Sequence, residues 1–280
     1  MGGLPEAAVA HYREHGYYAP IRVMPVAEAE TLRLCLEAHE KEHGVLKGTM
    51  RHKSHLLFTW LDGLIRHPAL LDAVEGVIGP DILCWSSSFF IKEARDPGFV
   101  SWHQDSTYWG LDPADIVTAW VALSESTVEN GAMRVIPGTQ KLDQVAHRDT
   151  FAANNLLTRG QEIAVDVDGS EAVTLALEPG EMSLHHVRLI HGSDPNPSAK
   201  RRIGFAIRYL PTHVRQVVGT RDSATLVHGV DRFGNFEPEY APDHDLSGAA
   251  VAFHAHVLGD QQKVLMRNAG GRDALTPQPT

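Results

Sequence analysis

Apolar residues recur at helical spacing through the first third of the chain and then change to alternation. Between residues 5 and 15, Ala7, Val9, Ala10 and Tyr12 make a short amphipathic pattern that Gly16 ends. Pro25 stands where a helix can start, and residues 26–43 carry Ala29, Leu32, Leu34, Leu36 and Ala38 among acidic residues before Gly44. A third helix is predicted over 68–78, where Leu70, Leu71, Val74 and Val77 precede Gly79-Pro80. From Asp81 onward the segments 82–92, 99–105, 116–124, 133–136, 173–177, 181–191 and 202–210 read as strands separated by Pro, Gly, Asp and Asn. Helices first and many short strands after predict an antiparallel sandwich or barrel with helices on one sheet. No internal repeat interrupts this order, so residues 1–280 read as a single domain. It has a helical part to about 80, a β core over about 81–212 and a polar C-terminal extension with a weak helical pattern at 249–258. Residues 139–173 lack periodicity and are too long for an ordinary connection, which predicts a lid or binding segment.

The strand faces carry more information than the strand positions. Alternation puts His103 and Asp105 on one side with Gln104 opposite, as two ligands of one metal require. Over 202–209, Ile203, Phe205, Ile207 and Tyr209 form an apolar face that can pack on helices. The other face holds Arg202, Gly204, Ala206 and Arg208, and its two small residues predict room for a ligand. Thr118 and Trp120 similarly share a side opposite Val117, Ala119, Val121 and Leu123.

Composition narrows the function. A chain of 280 residues with 43% hydrophobic content can bury a core unaided, and Cys35 and Cys84 alone make no disulfide scaffold or cysteine zinc site. A net charge of −10 argues against nucleic acid or an anionic membrane as partner. The first twenty residues show no signal-peptide pattern and no run is long and apolar enough to span a bilayer, so the expectation is a cytoplasmic protein acting on a small molecule. A homo-oligomer is compatible with all of this.

Most of the 17 histidines are scattered, but His191 stands at the end of a predicted strand, and Arg202 follows it by eleven positions. Two imidazoles and one carboxylate on one side of a metal form the facial triad of non-haem Fe(II) oxygenases, with open positions opposite. Zinc at the same three ligands is the alternative, in a non-oxidative cupin-like lyase, hydrolase or binding module. That reading leaves Arg202 without a task, whereas an arginine holds a carboxylate through two parallel hydrogen bonds and never deprotonates. Trp109 and Arg208 are candidate substrate contacts. Trp102, Tyr108 and, as its other reading, Trp109 pack around the metal strand, and His185 and His186 read as core or supporting residues.

At these positions the chain resembles the phytanoyl-CoA dioxygenase family of Fe(II)/2-oxoglutarate oxygenases. The family's His, Gly-Ser, and an Arg eleven positions after that His are met by His191, Gly192-Ser193 and Arg202. The resemblance implies a double-stranded β-helix (jelly roll), iron held by His103, Asp105 and His191, and 2-oxoglutarate held by Arg202 with help from Ser193. Thr118 sits where relatives often place a further co-substrate contact. With O₂ as second co-substrate, the implied reaction is hydroxylation of an unactivated C–H bond with release of succinate and CO₂. Related halogenases have a small residue in place of the metal-binding carboxylate; Asp105 fills that position, which disfavours halogenation. The family name does not fix the substrate, since bacterial members act on amino acids, osmolytes, phosphonates and natural-product intermediates.

Overall fold

The helices start and stop where local chemistry allows. The computed structural model describes residues 3–46, 48–157, 160–164, 168–219 and 222–266. Helix α1 (Glu6–His15) follows Pro5 and ends at Gly16, whose φ of 80° lies in the left-handed region glycine tolerates. Helix α2 (Val26–His43) follows Pro25 in the same manner. Helix α3 (Thr59–Ile65) was not evident in the sequence. Helix α4 (Pro68–Ile78) opens on a proline, whose missing N–H would be unpaired there anyway. Helix α5 (Gly248–Leu265) runs longer than the weak pattern at 249–258 predicted, with the Ser247 side chain accepting from Ala250 N at its start. No helix among the described residues is long and apolar enough to cross a membrane.

Two sheets carry most of the rest. The larger has seven strands in the order Tyr17–Arg22, Glu181–His186, Val117–Ala122, Arg202–Pro211, Ile82–Lys92, Ser223–His228 and Glu237–Pro238, antiparallel except at the last pair. The smaller has the order Val100–His103, His191–Ser193, Arg134–Val135 and Val173–Thr174, antiparallel throughout. Two such sheets with long-range antiparallel connections form a double-stranded β-helix, as expected.

The predicted faces hold. Ile203, Phe205, Ile207 and Tyr209 join Val117, Ala119, Val121 and Leu123 in one core with Leu36, Leu61, Leu70 and Val74 of the helices. Burying a side chain such as Phe205 or Ile207 completely contributes about 1.5–3 kcal/mol. On the opposite face Trp120, Ala122 and Ala206 pack with Met133, Val135 and Leu175 between the sheets.

Two strand expectations need correction, and one strand went unpredicted. Residues 181–191 are two strands, Glu181–His186 and His191–Ser193, joined by a turn whose Val187 and Leu189 stay buried and so sustain the apolar pattern. Segment 99–105 ends as a strand at His103, and Asp105 opens a 3₁₀ turn to Tyr108. Tyr17–Arg22 is an edge strand that Pro20 disguised. Within 139–173, a hairpin pairs His147–Asp149 with Gln161–Ile163; residues 158–159 and 165–167 of the expected lid lie outside the described residues.

Candidate active site

Strand pairing brings the three expected metal ligands together. His191 is the cross-strand partner of His103, which sets their rings 4.1 Å apart between centroids. Asp105 reaches them from its turn, which the Asp105 N–H to Val187 carbonyl bond of 3.0 Å anchors. Its Oδ1 lies 3.2 Å from His103 Nε2 and 3.9 Å from His191 Nε2, and the three ligand atoms lie within 4.8 Å of one another in a buried site. His103 Nδ1 lies 2.9 Å from the Ser101 carbonyl, and His191 Nδ1 lies 2.9 Å from the Leu189 carbonyl. A carbonyl can only accept, so each Nδ1 carries the proton and each Nε2 offers its lone pair inward, as metal-ligating histidines do. Burial pushes His191 down to about 4, with His103 adding to the effect, so its ring is neutral near pH 7. Burial opposes the charge on Asp105, but a hydrogen bond from His103 Nε2 when that nitrogen is protonated, and then the charge of a protonated His191, outweigh it and hold this carboxyl well below its usual range. These three residues fit a divalent metal.

A cavity extends from the triad and is lined by Thr118, Trp120, Ser193, Arg202 and Arg208 among others. Arg202 is 2% exposed and bonds the Gly131 carbonyl through Nη1, while its Nε has no hydrogen-bond partner. Its guanidinium stacks 5.5 Å from the Trp120 ring centroid. Burial pushes Arg202 down to about 10, which leaves it charged at neutral pH. Buried Lys92, which sequence reasoning missed, donates to Ser193 Oγ at 2.7 Å. Having accepted that bond, the Ser193 hydroxyl keeps its own proton to donate. Thr118 Oγ1 is buried without a partner. An arginine with an unpartnered Nε, a free serine proton and an orphaned threonine beside the ligand set fit a dicarboxylate such as 2-oxoglutarate. The room expected at Gly204 is taken by protein: a Cβ there would lie 1.8 Å from Trp120 Cζ2.

A second cavity of about 950 Å³, open to solvent, shares Phe90, Asp105 and Arg208 with the first. Trp109 lines it, 4.9 Å from Trp85, and Tyr108 lines it as well. Trp102 does pack, with Ile136, Ile163 and Ile190. His185 is buried against His191 at 4.8 Å, whereas His186 sits off the cavity. The 139–173 segment contributes Leu156, Leu157 and Gln161 to this wall, and Leu258, Gln261 and Leu265 come from α5.

Residues 7–204 match the model of the family described as phytanoyl-CoA dioxygenase (PhyH). The chain belongs to the phytanoyl-CoA dioxygenase family. Among relatives, a probable alpha-ketoglutarate-dependent hypophosphite dioxygenase of Stutzerimonas stutzeri is 30% identical over 185 residues, 64% of each chain. An L-proline trans-4-hydroxylase of Streptomyces griseoviridis is 30% identical over 163 residues, 52% of this chain and 61% of that one. This chain therefore spans under two thirds of the length of those curated relatives. Among solved structures, the non-heme monooxygenase ThoJ is 34% identical over 95% of this chain and 100% of its own, with a TM-score of 0.84.

The phytanoyl-CoA dioxygenase match takes in His103, Asp105, His191, Ser193 and Arg202 and stops before Arg208 and α5. Trp85, His52, Lys92 and the α5 residues had no local signal. Each acquires its place only through pairing across the fold, as when the Ile82–Lys92 strand sets Ser88 against Ala206.

Proposed function

We propose that this protein is an Fe(II)/2-oxoglutarate-dependent dioxygenase that hydroxylates an unactivated C–H bond of a small molecule. The observation that carries the reading is a buried Arg202, without an ion pair among the described residues and with its Nε unpartnered, in the same cavity as a His103–Asp105–His191 ligand set whose Nε2 atoms face inward. Family membership supports it, as do relatives whose names include an alpha-ketoglutarate-dependent dioxygenase and a hydroxylase. A zinc hydrolase would have no use for Arg202, and nothing at the site favours that alternative.

Iron bound at the triad supplies oxygen activation coupled to loss of CO₂ from 2-oxoglutarate, giving succinate and one oxygen atom inserted into the substrate. The chain's own residues do the positioning. His103 and His191 present neutral Nε2 atoms because Ser101 and Leu189 hold the opposite nitrogens. Asp105 completes the set, and by filling that position it disfavours halogenation. Arg202 takes the distal carboxylate of the co-substrate, Ser193 donates its hydroxyl proton under the direction of Lys92, and Thr118 adds a further contact. Trp109 and Arg208 meet the substrate. The whole chain acts as one catalytic domain in the cytoplasm, with no nucleic-acid or membrane partner, and it is compatible with a homo-oligomer.

The test is an anaerobic titration. Fe(II) with 2-oxoglutarate should develop a weak visible charge-transfer band in the native protein and not in His191→Ala. No band, or an equal band in the variant, would sink the assignment.

A further inference from the structure

Among the described residues, Arg208 is a buried cation without an anion. It is 8% exposed, its Nη1 donates to Ser88 Oγ at 2.9 Å, and its Nε has no partner. Among the described residues it forms no ion pair, whereas the buried Lys53 pairs with Glu239 and the half-buried Arg201 with Glu40. Asp105 draws on it from a distance, but that carboxylate is committed to the metal. The two carboxylates of 2-oxoglutarate are accounted for by iron and Arg202. Arg208 is left over, and a guanidinium out of water is costly until an anion meets it.

Its surroundings extend the same chemistry. A guanidinium only donates, so Ser88 Oγ accepts from Arg208 and turns its own proton to His52 Nδ1, 3.1 Å away. Burial, and after it the charge on Arg208, push His52 down to about 4. A neutral ring that accepts at Nδ1 carries its proton on Nε2, so His52 brings a second donor to the wall of the larger cavity. The amide Nε2 of Gln261 on the same wall is buried without a partner. Of the residues lining this cavity, Asp105 is the single carboxylate among those described, so a cationic head would find no counter-anion beyond the metal ligand. The Phe90 and Trp109 rings flank the Arg208 guanidinium at 5.7 and 5.8 Å and hold its fork in place. Away from it the wall turns apolar at Trp85, Leu156, Leu157, Leu258 and Leu265.

We infer that the substrate of this site is a small-molecule carboxylate: its anionic head pairs with Arg208, with His52 and Gln261 as further donors, and its carbon body lies along the apolar wall. The inference rests on the dioxygenase reading for the place of the metal and co-substrate, and it adds the charge and polarity of what is oxidised.

The test uses acid and amide pairs with one carbon frame: hexanoate and hexanamide, cinnamate and cinnamamide, indoleacetate and indoleacetamide. Each is titrated into the anaerobic Fe(II)·2-oxoglutarate protein, with binding read from the charge-transfer band and from tryptophan fluorescence. At least one acid should bind about tenfold or more tightly than its amide, as a charge-assisted bond provides. Arg208→Gln should abolish that preference, Arg208→Lys should keep part of it, and 2-oxoglutarate titration should be unchanged in both. Equal binding of every acid and its amide would overturn the inference. So would an Arg208→Gln protein that loses 2-oxoglutarate as badly as Arg202→Ala does, since Arg208 would then serve the co-substrate. Failure of the native protein to form the band indicts the dioxygenase reading instead, and the fluorescence comparison still judges the acid preference.

Discussion

The indole of Trp120 occupies the space that a side chain on Gly204 would need, with a built Cβ only 1.8 Å from its Cζ2. Trp120 in turn lies 5.5 Å under the Arg202 guanidinium, so the missing side chain at 204 sets where the arginine sits. Gly204→Ala should cost about 1–3 kcal/mol through overpacking. It should also weaken 2-oxoglutarate binding, because Trp120 must move and Arg202 with it. Thermal unfolding and the anaerobic titration check both effects; an unchanged co-substrate affinity would uncouple the two residues.

Arg202 itself should matter more for co-substrate than for metal. Losing a charge-assisted pair worth roughly 1.5–3 kcal/mol, Arg202→Ala should need about ten- to a hundred-fold more 2-oxoglutarate, with Fe(II) affinity nearly unchanged. Arg202→Lys should recover part, because an ammonium keeps the charge and loses the planar fork. Ser193→Ala should be milder. Succinate formation against 2-oxoglutarate concentration ranks the three.

Lys92 gives that binding a pH dependence. Burial, and then the nearby Arg202, push its pKa down to about 7. A dianion arriving beside Ser193 favours the protonated amine, so binding takes up a proton. Affinity should therefore be greatest below about pH 7 and weaken above it, by at most about tenfold per pH unit. Lys92→Met should flatten the profile. Titrations on either side of neutrality decide, and a native profile already flat would remove Lys92 from the site.

A second buried network concerns stability. Glu239 accepts from Lys53, lies 3.4 Å from His55 Nε2 and receives the Thr225 hydroxyl at 2.8 Å. Burial opposes its charge, but Lys53 and His55 prevail and hold it down to about 2. With its ordinary value at 4.5, the carboxylate adds roughly 3 kcal/mol that is complete above that pH and lost as pH falls toward about 2. Lys53→Met should cost roughly 3–5 kcal/mol by stranding Glu239, and adding Glu239→Leu should recover much of it. Denaturant unfolding of the single and double variants measures the difference.

The sequence revealed what depended on alternation and spacing. The inner face of Arg202–Pro211 could be read because its apolar and polar positions do not mix, and His191 to Arg202 because one short connection joins their two strands. Asp105 came out on the correct side although its strand stops at His103, since a turn can deliver a carboxylate to the same place. The edge strand Tyr17–Arg22 was hidden by Pro20, and α3 by its short length. Lys92 looked like a strand end and proved fully buried, and Trp85 meets Trp109 only once the sheets have closed. Pairings of that kind have no local signature.

Helix α5 places Leu258, Gln261 and Leu265 against the larger cavity, yet it lies outside residues 7–204, which the family model matches. The stretch that encodes the metal ligands and the stretch that encodes much of the opposite wall are thus separate lengths of chain. Changes in one leave the other's side chains untouched. A lineage could remodel the volume above Asp105 by altering one terminal helix and keep an inherited metal centre intact.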